Sequence, residues 1–201
     1  AYANKVYTGR KNKEAFGHNF GIHYPGYEWP EARRAKMMPC YDRLDAAGAV
    51  WGAVYGWEIP LWFAPKGEEA RDIWSYRSFN SMPHVGAECR AVRESVGLFE
   101  MTPMAKFEAR GAGTEDWLNR ILANRMPRKV GGIVLAHLLT HKGTVRSEFT
   151  VTRLCDEHFY LVGTPRGERH DFDVLQKSLP ADGSVQLTNV TAERGGLTVV
   201  G

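Results

Sequence analysis

The chain has 201 residues, of which 43% are hydrophobic and 24% are charged, and its formal net charge is +3 at pH 7. This composition is typical of a globular protein with its own core, and no apolar run approaches the roughly 20 residues that a membrane-spanning helix needs. The basic residues are dispersed, so no stripe of positive charge follows the pattern of a nucleic-acid backbone. We therefore expect neither nucleic acid nor membrane as a partner.

The 3 cysteines and 7 histidines are scattered along the chain. The cysteines are odd in number and lack CxxC spacing, which argues against a disulfide framework and against a zinc site. The N-terminal stretch AYANKVYTGR has no apolar segment of the kind found in a secretory signal peptide. These features predict no metal and a reducing compartment, either cytoplasmic or, in a eukaryote, the mitochondrial matrix.

Large aromatic side chains are dense between positions 16 and 65, with Gly and Pro between them, as in WGAVYGWEIPLWFAP. Such spacing predicts short strands and turns around aromatic anchors rather than long helices. A short helix is expected from Tyr41 to Ala47, ended by Gly48. Residues 66–80 are first charged and then aromatic, which indicates a connector between two domains.

The pattern becomes regular from position 82 onward. Pro83 begins a predicted helix that ends at Gly97, and MAKFEARG predicts a strand followed by a turn. Thr114 is expected to cap a further helix over TEDWLNRILANRM. The turn before it, GAG at 111–113, is interpreted as a plain helix entry in preference to an anion site.

The remaining segments predict an antiparallel meander of strands at 133–140, 144–154 and 158–163. A helix over 168–179 and the strands SVQLTNV and GLTVVG follow. The predicted fold class is α+β, an antiparallel meander sheet with flanking helices, preceded by the aromatic-rich segment of short strands.

One acidic residue, Glu148, lies in the middle of the predicted strand at 144–154. Because side chains alternate along a strand, Glu148 shares a polar face with Thr150 and Thr152. Two interpretations are open at this point. The face is solvated, with Glu148 paired to Arg146, or it lines a ligand cavity in which the carboxylate holds a cationic amine or a heterocycle rich in N–H groups.

Sequence motifs for common chemistries are absent. No GxGxxG follows a strand and opens a helix, and no Walker A, GxSxG or HExxH sequence occurs. These motifs therefore assign no activity.

A family pattern is nevertheless present in four stretches that occur in unbroken order: YDRLDAAGAVWGAVYGWEIPLWFAP, GAECRAVRESVGLFEMTPMAKFEARGAGTEDWLNRILANRMP, GTVRSEFTVTRL and HDFDVL. Together they resemble the C-terminal half of the dimethylglycine and sarcosine dehydrogenases, a folate-binding domain of the glycine-cleavage T-protein (aminomethyltransferase) type. The resemblance covers about residues 25–201, and GWEIPLWFAP is specific to the flavoprotein branch.

The resemblance implies a division of the chain into three parts. Residues 1–65 match the end of the flavin-oxidoreductase central domain, 66–80 form the connector, and 81–201 match the N-terminal part of the tetrahydrofolate-binding domain. The implied activity is that of a flavin- and folate-dependent N-demethylating dehydrogenase, which captures the one-carbon unit of an N-methyl amine on tetrahydrofolate.

The resemblance also implies a missing partner. The half of the family that holds FAD has no counterpart here, so we expect that this chain alone does not bind FAD, and that a flavin-binding half or a separate flavin subunit complements it. Two alternatives remain open. The chain is a flavin-free aminomethyl or methyl transferase, or it is a non-catalytic folate-binding subunit beside a flavin chain.

Site residues follow from the same resemblance. Family members carry an acid, usually Asp, in the strand matching GTVRSEFTV, where it approaches the reactive nitrogens of the folate, and Glu148 occupies that register as the catalytic residue. A carboxylate suits this position because one-carbon transfer makes and breaks cationic iminium and protonated amine species. The implied cofactor-binding positions are Met104, Thr150, Thr152, Val162 and Thr164.

The resemblance gives roles to two further positions, at the first of which this sequence departs from the family. Leu135 stands where T-proteins often have an aromatic residue that stacks on the ligand. Asp171 matches a frequent family acid, whose implied role is to cap or brace the helix that follows.

Overall fold

The structure is a computed structural model that describes residues 4–201. The helices are α1 (Lys5–His18), α2 (Tyr41–Ala46), α3 (Met82–Glu94), α4 (Thr114–Ile121) and α5 (Glu168–Lys177). The strands are β1 (Ala49–Val54), β2 (Trp57–Phe63), β3 (Gly97–Glu100), β4 (Ala105–Arg110), β5 (Ile133–Leu139), β6 (Val145–Cys155), β7 (His158–Gly163), β8 (Gln186–Asn189) and β9 (Leu197–Val200). Within residues 4–201, no helix has the length and apolar character needed to cross a membrane.

The chain forms two compact units, one made of Ala1–Met101 with Leu197–Gly201 and the other of Thr102–Gly196. The first unit contains a hairpin of β1 and β2, closed by Tyr55 and Gly56, whose φ angles are 49° and 85°. Positive φ at both turn residues is the geometry that suits a two-residue hairpin loop, and glycine adopts it without strain. β3 pairs with β9 in the same unit.

The second unit is built on a five-stranded antiparallel sheet in the order β5-β6-β7-β4-β8. The predicted meander, β5 to β7, is therefore confirmed. One face of the sheet packs against α4 and α5 to form the core. Its fully buried large side chains include Phe107, Phe149, Phe159, Leu161, Trp117, Leu118 and Leu175.

Helix α1 is a feature that the sequence does not predict. The stretch KVYTGRKNKEAFGH has a weak apolar period, so periodicity gives little helical signal. The helix begins at a cap that is visible in the sequence: the Asn4 side chain accepts hydrogen bonds from the backbone N–H groups of Val6 at 2.9 Å and Tyr7 at 3.3 Å.

Helix α4 differs from its prediction at both ends. Gly113 is the capping residue, and Thr114 is already the first helical residue and makes no capping hydrogen bond. The helix stops at Ile121 because Leu122 takes an extended conformation, with φ −107° and ψ 138°, and forms a bridge to Leu138 of β5. Pairing with the sheet therefore outweighs the helical propensity of the LANRM stretch.

The predicted helix from Pro83 to Gly97 is also shorter than expected. α3 ends at Glu94, and Gly97 begins β3, a strand that the sequence does not predict. The reason is a long-range partner: Leu98 lies opposite Val199 of β9. A pairing across about 100 residues leaves no local signal.

Candidate functional site

Glu148 lies in the middle of β6, on the sheet face opposite the core. Its neighbours Phe149 and Val151 are fully buried, and this fixes which way the alternating side chains of the strand point. The Glu148 side chain is 52% exposed. The alternation expected from the sequence is therefore confirmed.

His137 on β5 is the cross-strand partner of Glu148. Its Nε2 lies 2.8 Å from Oε2 of the carboxylate, a distance that fits a hydrogen bond from Nε2–H to the oxygen. The His137 side chain is 35% exposed. Within residues 4–201, Oε1 of Glu148 makes no hydrogen bond, so this oxygen is available to a ligand.

The interpretation that Glu148 pairs with Arg146 is wrong. The guanidinium of Arg146 donates instead to Nε2 of His170, at 3.2 Å. Arg153, which also lies on β6, belongs to the opposite face, where it is buried and pairs with Glu115. The carboxylate of Glu148 is thus hydrogen-bonded to an imidazole and not to an arginine.

A polar cleft of about 530 Å³ opens beside Glu148. It forms where the chain leaves β7, passes through a short 3₁₀ turn at Pro165–Gly167 and enters α5. The residues around it include Glu148, Thr164, Arg146, Arg166, His170 and Asp171. The cleft combines guanidinium donors with a carboxylate acceptor, which suits a ligand that carries both polar N–H groups and an anionic group.

Asp171 has the bracing role that the resemblance implies. It lies in the first turn of α5, is buried, and accepts hydrogen bonds from Ser147 Oγ at 2.5 Å and from His170 Nδ1 at 2.9 Å. Because Ser147 belongs to β6, its bond to Asp171 fastens the start of α5 to the strand that carries Glu148. Asp171 therefore connects two elements and does not cap the helix.

The other candidate positions distribute along the sheet. Thr164 lines the same cleft as Glu148. Thr150 lies opposite Val162 of β7, and Thr152 is two residues further along β6, so these three share the outward face with Glu148. Met104 is half-buried just before β4, and neither it nor Thr150, Thr152 and Val162 lines the cleft.

The position that replaces the family aromatic also faces outward. Leu135 lies on β5 opposite Thr150, and it is 49% exposed. The outward face therefore contains an accessible apolar patch beside Thr150 and Val162. The aliphatic side chain of Leu135 offers contact area without the ring stacking of an aromatic residue.

A second charged cluster on this face is not visible in the sequence. Glu108 of β4 is buried and accepts hydrogen bonds from Arg110 at 2.8 Å and from Arg194 at 2.9 Å. The hydrogen bond from Arg110 lowers the pKa of Glu108 against the opposing effect of burial, and the charges of Arg110, His158 and Arg194 add to the lowering. Burial in turn raises the pKa of the neighbouring Tyr160.

Comparison with known proteins decides the family. The model of the GCVT N-terminal domain matches residues 40–201. The chain belongs to the GCVT N-terminal domain family. The resemblance inferred from the sequence is therefore confirmed.

Individual relatives of this GCVT-family chain are larger proteins. It is 32% identical to mitochondrial dimethylglycine dehydrogenase of Homo sapiens, over 97% of the chain and 22% of that protein. It is 27% identical to the mitochondrial pyruvate dehydrogenase phosphatase regulatory subunit of Mus musculus, over 90% of the chain and 21% of that protein. The chain thus spans about a fifth of the length of these relatives.

A solved structure supports the fold of the GCVT-family chain. The crystal structure of glycine cleavage system aminomethyltransferase T from Bartonella henselae superposes with a TM-score of 0.67 at 25% sequence identity. The match covers 83% of this chain and 41% of that one. The α+β class, with its antiparallel sheets, is therefore confirmed.

Proposed function

We propose that this chain is the folate-binding portion of a flavin- and folate-dependent N-demethylating amine dehydrogenase of the dimethylglycine or sarcosine type. In this function, the one-carbon unit of an N-methyl amine is captured on tetrahydrofolate. Membership of the GCVT N-terminal domain family and the similarity to dimethylglycine dehydrogenase support the proposal. The observation that carries it is Glu148, a carboxylate with one hydrogen-bonded and one available oxygen beside a polar cleft.

The residues of the outward face fit a flat heterocycle rich in N–H groups. Leu135 and Val162 offer apolar contact area, Thr150 offers a hydroxyl, and Oε1 of Glu148 offers an acceptor at the edge of this surface. Tetrahydrofolate, when bound, supplies the nitrogen atoms that take up the one-carbon unit. Glu148 accepts a proton from an N–H group at this edge and stabilises positive charge that develops near it.

Flavin chemistry is assigned to another part of the protein or to another subunit. No GxGxxG sequence of the kind that cradles the pyrophosphate of FAD lies between a strand and a helix, since the GAG turn at 111–113 before α4 lacks the third glycine. Amine oxidation therefore takes place in that other part or subunit and not in this chain. The mitochondrial names of the relatives favour the mitochondrial matrix for a eukaryotic source.

A second candidate function is that of a non-catalytic folate-binding subunit. It is favoured by the relative that is named a regulatory subunit. A chain of this kind binds folate on the same face but does not support transfer. The third possibility, a flavin-free transferase, is disfavoured by the GWEIPLWFAP segment of the flavoprotein branch.

The test replaces Glu148 by Gln in the native polypeptide, that is, the polypeptide at the length at which its source produces it. Formation of methylenetetrahydrofolate is measured with dimethylglycine or sarcosine, tetrahydrofolate and an artificial electron acceptor. We expect the rate to fall about a hundredfold, or roughly 3 kcal/mol, because the amide keeps the size but loses the charge that stabilises a cation. Thermal unfolding should change by no more than about 0.5 kcal/mol, since the side chain is half exposed.

The matched control is Glu157→Gln, an exposed glutamate in the turn between β6 and β7. It makes the same chemical change outside the cleft and should leave the rate unaltered. Unchanged turnover in Glu148→Gln would reject the catalytic role of this residue. Binding of 5-formyltetrahydrofolate without any product formation in the native polypeptide would instead favour the non-catalytic subunit.

A further inference from the structure

We propose that His137 is the positioning residue of Glu148. Its imidazole holds Oε2 of the carboxylate through the 2.8 Å hydrogen bond and thereby directs Oε1 toward the ligand. The inference rests on the proposed function of Glu148 and adds a residue, on a different strand, that acts through it.

The backbone on the His137 side of this contact is firmly held. Its neighbours Ala136 and Leu138 are buried in the core on the opposite face of β5. Its carbonyl oxygen also accepts a hydrogen bond from the N–H group of Ala123 at 2.8 Å. The imidazole therefore projects from a part of β5 that is fixed on both sides.

The backbone on the Glu148 side is held in the same way. Phe149 is fully buried, and Ser147 donates its hydroxyl to the buried Asp171. Both residues of the pair thus stand on core-anchored strands, in direct cross-strand register. A site built on strands keeps its geometry better than one built on loops.

The length of the glutamate side chain gives this contact a function. Glu has one more rotatable side-chain bond than Asp, so its carboxylate samples more orientations when it is free. Restricting those orientations before the ligand arrives lowers the entropy lost on binding. His137 supplies that restriction, and it does so without covering the second oxygen.

Other charged groups near Glu148 do not share this role. Arg146 is directed to His170, and His170 is directed to Asp171. Arg166 lines the cleft but makes no hydrogen bond to Glu148. In the part of the chain that the structure describes, His137 makes the one hydrogen bond to the Glu148 carboxylate.

The experiment is a double-mutant cycle in the polypeptide as its source makes it, with His137→Ala, Glu148→Asp and both together. The readout is kcat/KM for tetrahydrofolate in the product-formation assay described above. We expect His137→Ala to lower kcat/KM about tenfold, which corresponds to about 1.4 kcal/mol. In the Glu148→Asp background, the same change should alter kcat/KM by less than about twofold, because the shorter side chain no longer reaches the imidazole.

Two further variants separate positioning from a general structural effect. His137→Gln places an amide N–H at a reach similar to Nε2–H and should recover most of the lost activity. His141→Ala, in the exposed turn between β5 and β6, should leave the rate unchanged. In the 201-residue chain, NMR of the His137 ring nitrogens should show a shift on Glu148→Gln, which reports the hydrogen bond without folate.

The outcomes are distinguishable. Equal losses for His137→Ala in both backgrounds, or no loss in either, would overturn the positioning role while leaving the proposed function intact. Chemical shifts of the His137 ring nitrogens that stay the same on Glu148→Gln would overturn the positioning role as well. A native polypeptide that forms no folate product would reject the proposed function, and the role of His137 with it.

Discussion

Two carboxylates on the same sheet face have opposite surroundings. The Glu108 side chain is 7% exposed and accepts hydrogen bonds from two arginines. The Glu148 side chain is 52% exposed and is contacted by one imidazole. A carboxylate whose oxygens are already occupied serves the fold, whereas one with an available oxygen can serve a ligand. This contrast separates a structural acid from a candidate catalytic one.

The surroundings of Glu108 predict a pH-dependent stability. Because the pKa of Glu108 is lowered in the folded state, its ionised form stabilises the fold above the ordinary pKa of a free glutamate. That stabilisation is lost as the pH falls through the lower pKa of the folded state. Glu108→Gln should therefore reduce the free energy of unfolding by about 1–3 kcal/mol at neutral pH, and the difference from the native chain should shrink below about pH 4.

Urea denaturation at several pH values checks this expectation. Glu193→Gln is the control, since Glu193 is exposed and adjacent to Arg194 but, within residues 4–201, is not among the hydrogen-bond or ion-pair partners of Glu108. A difference between Glu108→Gln and the native chain that stays constant from neutral to acidic pH would contradict the assigned ion-pair role.

At the scale of the elements, α5 and β6 are joined by a polar contact. Ser147 Oγ and His170 Nδ1 both donate to the buried Asp171, while apolar residues of α5 such as Leu175 complete the core. A buried carboxylate that accepts such bonds orients the helix relative to the strand. The shape of the cleft therefore depends on the position of α5 relative to β6, because His170 and Asp171 of α5 line it.

Asp171→Ala should destabilise the chain by about 1–3 kcal/mol, because it leaves the partly buried hydroxyl of Ser147 without its acceptor. The matched control is Asp173→Ala on the same helix, whose carboxylate is exposed and pairs with Lys177 at 2.7 Å. The control should cost no more than about 0.5 kcal/mol, as is usual for exposed i, i+4 pairs. Chemical denaturation of both variants measures the two free energies of unfolding. Similar losses of stability in both variants would argue against a structural role for Asp171.

At the scale of the whole molecule, the chain corresponds to about a fifth of its relatives and consists of two compact units. Neither the family match nor the sequence motifs place a dinucleotide site in it. The match from residue 40 onward begins before the predicted boundary at 66–80, which stays a prediction.

We expect the purified 201-residue chain to bind no FAD. The physical reason is the missing GxGxxG turn, whose glycines let backbone N–H groups converge on a pyrophosphate. The measurement is flavin absorbance after the chain is incubated with excess FAD and passed through a desalting column, with bovine serum albumin as the carrier control. A flavin content near one per chain would refute the expectation.

The sequence by itself determined the features that depend on neighbouring residues. The alternation around Glu148, the three strands of the meander and the short helix at Tyr41 are encoded by side-chain period and by turn residues. The family match likewise needs only residue order. The alternation, the individual strands and the short helix are predictable because each is specified within a dozen residues or fewer, where propensity and periodicity act.

Only the tertiary structure decided the features that depend on distant residues. The register that sets His137 opposite Glu148, the contacts of Arg194 with Glu108, and the pairing of β3 with β9 all bring together residues from separate elements. The early end of α4 belongs to the same class. Such contacts form because two surfaces are buried together, and the free energy of that burial depends on both partners at once, so neither local segment carries the information alone.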